Sequence, residues 1–121
     1  METHNFGSVD SIGVVLFLAG VRRCSVPDAR FLIHPLSSNF AANSSYEEQK
    51  LVETLNSLKI DIDNVANIIA KGTNKSQEDV KNAMAARTTL NPEQAISFGL
   101  VHEIKKELIP TGAQIVYMNV Q

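Results

Sequence analysis

The sequence is poor in cysteine, in net charge and in long apolar runs. Cys24 is its only cysteine, so no internal disulfide can form, and a reducing cytoplasm is the compartment that fits best. A formal net charge of -2 provides no basic surface, so we do not expect nucleic acid as a partner. The longest apolar run, Ile12 to Ala19, is much shorter than the roughly 20 residues that cross a bilayer. The N-terminus also lacks a secretory signal, and we expect a soluble protein without a membrane partner.

What the sequence does contain is the composition of an ordinary globular domain. It has 121 residues, of which 44% are hydrophobic and 20% are charged. A chain of this size builds one hydrophobic core. Since there is no internal repeat and no linker, residues 1–121 are expected to form one α/β domain.

The first third of the chain is expected to alternate strands with one buried helix. Residues 1–9 fit a strand that enters a glycine turn, and residues 11–20 fit a buried helix with Gly20 at its C-terminus. Two further strands are predicted at residues 21–26 and 29–34, with a turn between them. The segment that follows them, up to residue 45, is small and polar and is typical of a loop.

A long helix is predicted over residues 45–71. Ser45 and Glu48 have the spacing of a capping box, and apolar residues then recur at three- and four-residue intervals up to Gly72. The usual globular helix has about 11 to 12 residues. We therefore expect this helix to project from the body of the protein or to lie in an interface.

Two shorter helices and two strands are predicted after the long helix. Ser76, with Asp79 three residues later, opens a helix that runs to about Ala86. The next helix begins at Asn91 and Pro92 and ends before Gly99. The predicted strands cover residues 100–104 and 113–120.

Two side chains have the features of a nucleophile and its base. Ser11 lies at the predicted start of the buried helix, where free backbone N–H groups favour the anionic oxygen that develops in acyl transfer. Histidine is the base best suited to activate a serine near neutral pH, and His34 ends an apolar strand. Local sequence leaves structural interpretations open as well, with Ser11 as a helix cap and His34 as a half-buried structural histidine.

Together, the segments around these two residues resemble the Clp protease proteolytic subunit family. Residues 7–13, Gly-Ser-Val-Asp-Ser-Ile-Gly, are similar to the nucleophile turn of that family. Residues 27–35, Pro-Asp-Ala-Arg-Phe-Leu-Ile-His-Pro, are similar to its strand that ends in the catalytic histidine. Ser11 and His34 fall on the two catalytic positions. Residues 91–104 resemble the closing segment of the family, so the resemblance covers nearly the whole chain.

The resemblance implies an α/β fold of the Clp protease and crotonase-like kind, a ββα superhelix that is incomplete at its N-terminus. Residues 45–71 correspond to the handle helix, which projects and intercalates between stacked rings. The implied function is a serine endopeptidase subunit of an ATP-dependent protease that hydrolyses unfolded polypeptides through an acyl-enzyme at Ser11, with His34 as base. The implied partners are further copies of the chain in a homo-oligomeric ring and an ATP-driven unfoldase, and no cofactor is implied.

The sequence departs from the family pattern at two supports of the site. Arg87 occupies the position of the third triad residue, an aspartate, and an arginine cannot accept the imidazole N–H. A backbone carbonyl, Asn91 or another carboxylate are the alternatives for orienting His34. The Ser-Pro-Gly-Gly loop that supplies half of the oxyanion hole does not occur in this sequence, which leaves the backbone N–H of Ile12 as the candidate donor.

Several other polar residues receive structural interpretations. Asp10 is expected to be a solvated turn residue, and Arg22-Arg23 to mark an exposed strand. His4 and His102 have no partners at metal-ligand spacing, so no metal site is predicted.

Two alternative functions remain open at this level. Arg87 and the absent glycine loop also fit a catalytically impaired or inactive Clp-like subunit that serves as a scaffold for ring assembly. The other alternative is an acyl-CoA enzyme of the related crotonase fold, which does not need a nucleophilic serine.

Overall fold

The structure, a computed structural model, describes residues 1–106, 112–114 and 116. The described chain contains six strands and four helices, which confirms the mixed α/β class. In chain order they are β1 (Glu2–Asn5), β2 (Ser8–Asp10), α1 (Ile12–Phe17), β3 (Arg22–Ser25), β4 (Arg30–Ile33), α2 (Glu48–Thr73), α3 (Gln77–Ala85), β5 (Thr88–Leu90), α4 (Pro92–Phe98) and β6 (Glu103–Ile104). No helix in these ranges is long and apolar enough to cross a membrane.

The described strands form two three-stranded sheets. One has the order β1-β3-β6 and the other has the order β2-β4-β5. The pairs β1-β3, β3-β6 and β2-β4 are parallel, whereas β5 runs antiparallel to β4. Strand β1 therefore pairs with β3, and β2 pairs with β4. The first four strands thus contribute alternately to the two sheets.

The hydrophobic core lies between the second sheet and the helices. Phe17 of α1 meets Phe31 of β4 edge to face, with ring centroids 5.1 Å apart. Burying a large apolar side chain contributes about 1.5–3 kcal/mol, so this cluster accounts for much of the stability. The buried members of the cluster are Val14, Phe17, Phe31, Ile33, Ala66, Ile69, Ala70, Val80, Met84, Leu90, Ala95, Leu100 and Val101.

Helix α2 has 26 residues and begins and ends later than predicted. The capping residue is Glu47, without a side-chain hydrogen bond, so the predicted capping box at Ser45 is wrong. The C-terminal cap is Asn74 in the left-handed conformation, with φ 57°. Asparagine tolerates this conformation better than most residues. Gly72 therefore lies inside the helix, where a Cβ would be 2.9 Å from the Leu18 side chain.

Only the second half of α2 packs against the core. Its buried residues are Ala66, Ile69, Ala70 and Thr73, and none of residues 48–60 is buried. The first half thus extends beyond the body of the described chain. Apolar side chains remain at least 48% exposed along it, at Leu51, Val52, Leu55 and Ile60.

The caps of the two shorter helices are confirmed. The Ser76 hydroxyl accepts a hydrogen bond from the backbone N–H of Asp79 at 3.1 Å. Asn91 and Gln94 form a complete capping box at the start of α4, and Pro92 is the first helical residue. Gly99 follows α4 with φ 95°, a conformation that favours glycine.

Several predicted boundaries near the strands are corrected. Residues 1–9 form two strands, β1 and β2, instead of one, and β5 was not predicted. Helix α1 is capped by Leu18, so Gly20 is not its C-terminal glycine. A side chain at Gly20 would lie 2.9 Å from the Thr3 backbone nitrogen, which explains the glycine. The predicted strand at 100–104 is reduced to β6, and most of the one at 113–120 lies outside the described residues.

Arg23 is buried, which contradicts the prediction that Arg22-Arg23 marks an exposed strand. Only 7% of its surface is exposed, and loss of water around the guanidinium lowers the pKa of Arg23. The side chain donates hydrogen bonds to four backbone carbonyls, those of Gly20, Gly72, Gly99 and Leu100, at 2.7–3.3 Å. Its charge is therefore solvated by peptide dipoles from three separate loops and helix ends.

Candidate active site

Ser11 occupies the sharp turn between β2 and α1. Its backbone has φ 57° and ψ -120°, a sparsely populated conformation for a residue with a side chain. Such a conformation costs about 1–3 kcal/mol and is retained where the surrounding structure imposes it. The backbone N–H of Ser11 donates to the Leu32 carbonyl at 3.0 Å, which ties the turn to β4. Its side chain makes no capping hydrogen bond, so the interpretation of Ser11 as an ordinary helix cap is wrong.

His34 is the first residue after β4. Because β2 and β4 are adjacent and parallel, with Asp10 opposite Leu32, the residues that follow them meet at the same sheet edge. Ser11 and His34 consequently line one cavity. His34 is partly buried, and its Nδ1 lies 2.8 Å from the Pro35 carbonyl oxygen.

The cavity next to these two side chains has an apolar wall. Its volume is about 30 Å³, enough for a water molecule or two. A wall without polar groups keeps the local dielectric low, which strengthens any charge interaction at the mouth of the cavity. Besides Ser11, Ile12 and His34, the lining residues are Val14, Ile33, Leu36, Val65, Ile69 and Met84.

Helices α2 and α3 supply part of this wall, which the sequence did not predict. Val65 and Ile69 come from α2, and Met84 comes from α3. All three residues follow the helical apolar spacing of core positions, and that spacing does not distinguish a core contact from the lining of a site.

The backbone N–H of Ile12 lies at the N-terminus of α1. Ile12 is the first residue of α1, so its N–H has no carbonyl four residues earlier within the helix to donate to. It directly follows Ser11 in the chain. A backbone N–H in the first turn of a helix is available to donate to an anionic oxygen.

Arg87 lies in the turn that leads into β5. The ladder between β4 and β5 pairs Ile33 with Thr88, so His34 and Arg87 each lie one residue beyond the last paired residues, and Arg87 is exposed. Arg87 has φ 52°, a left-handed conformation. Arg87 therefore lies near the same end of the β4-β5 ladder as His34, and its side chain contains only hydrogen-bond donors.

Asp10 forms its polar contacts with Ser8 and Arg30. Its carboxylate accepts hydrogen bonds from Arg30 at 3.2 Å and from the Ser8 hydroxyl at 2.8 Å. Both partners neutralise or orient the charge on the exposed side of β2. The prediction of Asp10 as a solvated turn residue is wrong, because Asp10 is the partly buried last residue of β2.

The two remaining histidines have structural contacts. His102 Nδ1 accepts a hydrogen bond from the Arg23 backbone N–H at 3.1 Å. Loss of water around the ring, together with the Arg23 charge, lowers the pKa of His102. His4 Nε2 lies 3.9 Å from a Glu2 carboxylate oxygen. In the ranges that the structure describes, no three His, Cys, Asp or Glu side chains are grouped as metal ligands.

Comparison with known proteins identifies the family. A family model described as Clp protease matches residues 1–107. The ATP-dependent Clp protease proteolytic subunit of Deinococcus radiodurans is 31% identical over 100 residues, which cover 81% of this chain and 47% of the relative. The ATP-dependent Clp protease proteolytic subunit 2 of Chlamydia trachomatis is 26% identical over 106 residues, which cover 86% of this chain and 50% of the relative.

The chain therefore spans about half the length of these relatives. The family match itself includes β1 to β6 and every helix described above. It confirms the resemblance inferred from residues 7–13 and 27–35. This chain belongs to the Clp protease family.

Proposed function

We propose that the chain is a serine endopeptidase subunit of a Clp-type protease, with Ser11 as nucleophile and His34 as general base. The observation that carries this proposal is the shared cavity of the two side chains at the ends of adjacent parallel strands. The strained backbone of Ser11 adds support, because strain of this kind clusters at active sites.

In the proposed reaction, Ser11 Oγ attacks the carbonyl carbon of a peptide bond while His34 Nε2 accepts the hydroxyl proton. The carbonyl oxygen becomes an anion and receives a hydrogen bond from the Ile12 N–H. His34 then returns the proton to the departing amine, which leaves an acyl-enzyme at Ser11. Water, deprotonated by His34, hydrolyses this ester and restores the free hydroxyl.

The proposed substrates are unfolded polypeptides, and the proposed setting is a cytoplasmic homo-oligomeric ring that works with an ATP-driven unfoldase. The names of the two relatives, ATP-dependent proteolytic subunits, support this assignment. We assign residues 1–121 to one domain of the crotonase-like ββα superhelix, consistent with the paired order of β1 to β4. The projecting half of α2 would serve as the handle helix, since its apolar side chains are exposed.

A fluorophosphonate probe tests the nucleophile directly. We expect the probe to label the chain at Ser11, and Ser11→Ala to abolish labelling. Ser37→Ala is the matched control, because Ser37 is an exposed serine outside the cavity and its loss should leave labelling unchanged. No labelling of a folded wild-type chain, under conditions in which a full-length relative reacts, would contradict the proposed activity.

A second candidate function is a scaffold subunit without catalysis. Arg87 favours it, because an arginine at the position that resembles the third triad residue cannot replace the carboxylate of a triad. In this case the chain would assemble through α2, and Ser11→Ala would change neither assembly nor any measured hydrolysis. Sedimentation of the wild type and of Ser11→Ala, combined with the labelling experiment, separates the two candidates.

A further inference from the structure

The general base of a serine peptidase needs a partner that holds its ring. Such a partner accepts the Nδ1–H of the histidine, which leaves Nε2 unprotonated and directed at the serine. Loss of the correct tautomer in a serine triad lowers turnover about ten-thousandfold. At the position that resembles the third triad residue of the family this chain has Arg87, which has no acceptor atom.

An acceptor is nevertheless present at the right nitrogen. His34 Nδ1 and the Pro35 carbonyl oxygen are 2.8 Å apart. A carbonyl oxygen can only accept, so this hydrogen bond exists only if Nδ1 has the hydrogen. The contact therefore selects the Nδ1–H tautomer, in which Nε2 has a free lone pair.

The local sequence also restricts the backbone that presents this carbonyl. The proline ring fixes φ of Pro35 near -65°. The residue before a proline is restricted as well, and it favours the extended region, so His34 has little backbone freedom. Two consecutive restricted residues hold the imidazole and the carbonyl in one geometry with a small loss of entropy.

We propose that the Pro35 carbonyl oxygen replaces the third triad side chain and acts as the positioning group for His34. The inference rests on the proposed peptidase function. A neutral acceptor fixes the tautomer, but it stabilises the imidazolium less than a carboxylate does, since charge-assisted hydrogen bonds are about twice as strong. The chain is therefore expected to be a slower peptidase than a member with a complete triad.

The first measurement is the tautomer of His34 in the full chain. Nitrogen-15 NMR of histidine-labelled protein distinguishes a protonated from an unprotonated ring nitrogen without any substrate. His34→Gln assigns the signal. We expect neutral His34 to have its hydrogen on Nδ1.

The second measurement weakens the carbonyl itself. Replacing Leu36 by its α-hydroxy acid converts the Pro35–Leu36 amide to an ester, whose carbonyl is a poorer acceptor. Among the described residues the Leu36 N–H donates no hydrogen bond, so the exchange affects mainly the Pro35 carbonyl. The matched control is the same exchange at Ser37, which changes the Leu36 carbonyl, a group without a hydrogen bond in the same set of contacts.

We expect the ester at Leu36 to lower the rate of Ser11 labelling about two- to tenfold relative to the ester at Ser37, the range for one hydrogen bond. The fraction of His34 in the Nε2–H tautomer should rise in parallel. Far-ultraviolet circular dichroism and amide NMR spectra of both esters verify that each remains folded.

The possible failures of the two proposals differ. A wild-type chain that labels at Ser11 but has His34 in the Nε2–H tautomer overturns the positioning role alone. Equal labelling of the two esters also overturns that role. An unlabelled wild-type chain with the Nδ1–H tautomer overturns the peptidase function, and with it the catalytic meaning of the Pro35 contact.

Discussion

At the scale of single residues, Ser11 has a backbone conformation that lowers the stability of the fold. Its left-handed φ is unfavourable for a side chain, and its hydroxyl gives no capping bond in return. An N-terminal cap serine is usually worth about 1 kcal/mol to its helix. At Ser11 this contribution is absent, so the residue is a net cost to stability that a functional role would explain.

Replacing Ser11 by glycine is therefore expected to stabilise the protein. Glycine adopts positive φ without strain, so Ser11→Gly should raise the free energy of unfolding by about 1 kcal/mol relative to Ser11→Ala. Alanine is the matched control, because it retains the Cβ and removes only the hydroxyl. Urea unfolding measures both, and a glycine variant less stable than the alanine variant would contradict the strain argument.

Arg87 is the residue at which a small change should improve catalysis. Arg87→Asp restores a carboxylate at the position that resembles the third triad residue, and we expect Ser11 labelling to accelerate about tenfold or more. Arg87→Asn is the control, since asparagine also tolerates the φ of 52° but adds no charge. Equal rates for the two variants would show that removal of the arginine, and not the new carboxylate, causes any gain.

His102 makes stability sensitive to acid. Its pKa is lowered in the folded state, so at pH values below the ordinary pKa of about 6.5 the unfolded chain binds more protons. Stability is then complete above that pH and is lost as the pH falls through the folded pKa. The effect should be modest, because the ring is exposed to solvent.

A variant that cannot be protonated at position 102 tests whether His102 causes this loss of stability. His102→Asn retains an acceptor near the Nδ1 position for the Arg23 N–H but cannot be protonated. Between pH 7 and pH 5 its melting temperature should fall less than that of the wild type. Glu103, whose pKa is lowered by its hydrogen bond with Arg22, is common to both proteins and cancels in the difference. Parallel curves would contradict the assignment.

At the scale of elements, α2 combines two surfaces on one helix. Ile69, near its C-terminal end, is buried and lines the cavity, whereas Leu55 is 50% exposed on the projecting half. Fourteen residues of helix separate them, a distance of about 21 Å. One rigid element thus connects the wall of the site to a surface outside the body.

Substitutions in the two halves of α2 should therefore affect different properties. The projecting half should affect assembly, and the buried half should affect stability. Leu55→Gln should leave the free energy of unfolding of the isolated chain within about 0.5 kcal/mol but reduce assembly, because the side chain is exposed and apolar. Ile69→Ala should cost about 2–5 kcal/mol, as expected for a buried aliphatic side chain. Urea unfolding and sedimentation measure these effects. Unchanged assembly of Leu55→Gln would contradict the proposal that the projecting half of α2 takes part in assembly.

The elements that the sequence predicted well are those with local signals. The caps at Ser76 and Asn91 are formed by residues three positions apart, so their chemistry is visible in the sequence. Strand β5 has only three residues and exists because it pairs with β4, far away in the chain. The capping box predicted at Ser45 is not formed. The first turn of α2 is exposed, so packing against the described residues does not fix where the helix begins.

At the scale of the whole molecule, Arg23 joins segments that are far apart in sequence. Its guanidinium binds carbonyls after α1, near the end of α2 and after α4. No local pattern predicts a buried arginine with such partners. Ser11 and His34, which line one cavity, could by contrast be named together from the sequence, because the two motifs resemble those of one family.

Removing this junction should destabilise the entire chain. Arg23→Lys retains the charge but cannot reach four carbonyls, and we expect a loss of about 2–4 kcal/mol. Arg22→Lys is the matched control, since Arg22 forms only exposed ion pairs and its substitution should cost less than about 1 kcal/mol. Chemical denaturation compares the two, and similar losses would contradict the role of Arg23.

The hydrogen bond from the Ser11 N–H to the Leu32 carbonyl has a consequence for motion. It joins Ser11 to β4, the strand that His34 directly follows, so thermal displacement of that strand carries both residues together. Val65 and Ile69 belong to a different element, which can shift against the ladder. Fluctuations of the molecule should therefore alter access to Ser11 and His34 more than the position of these two residues relative to each other.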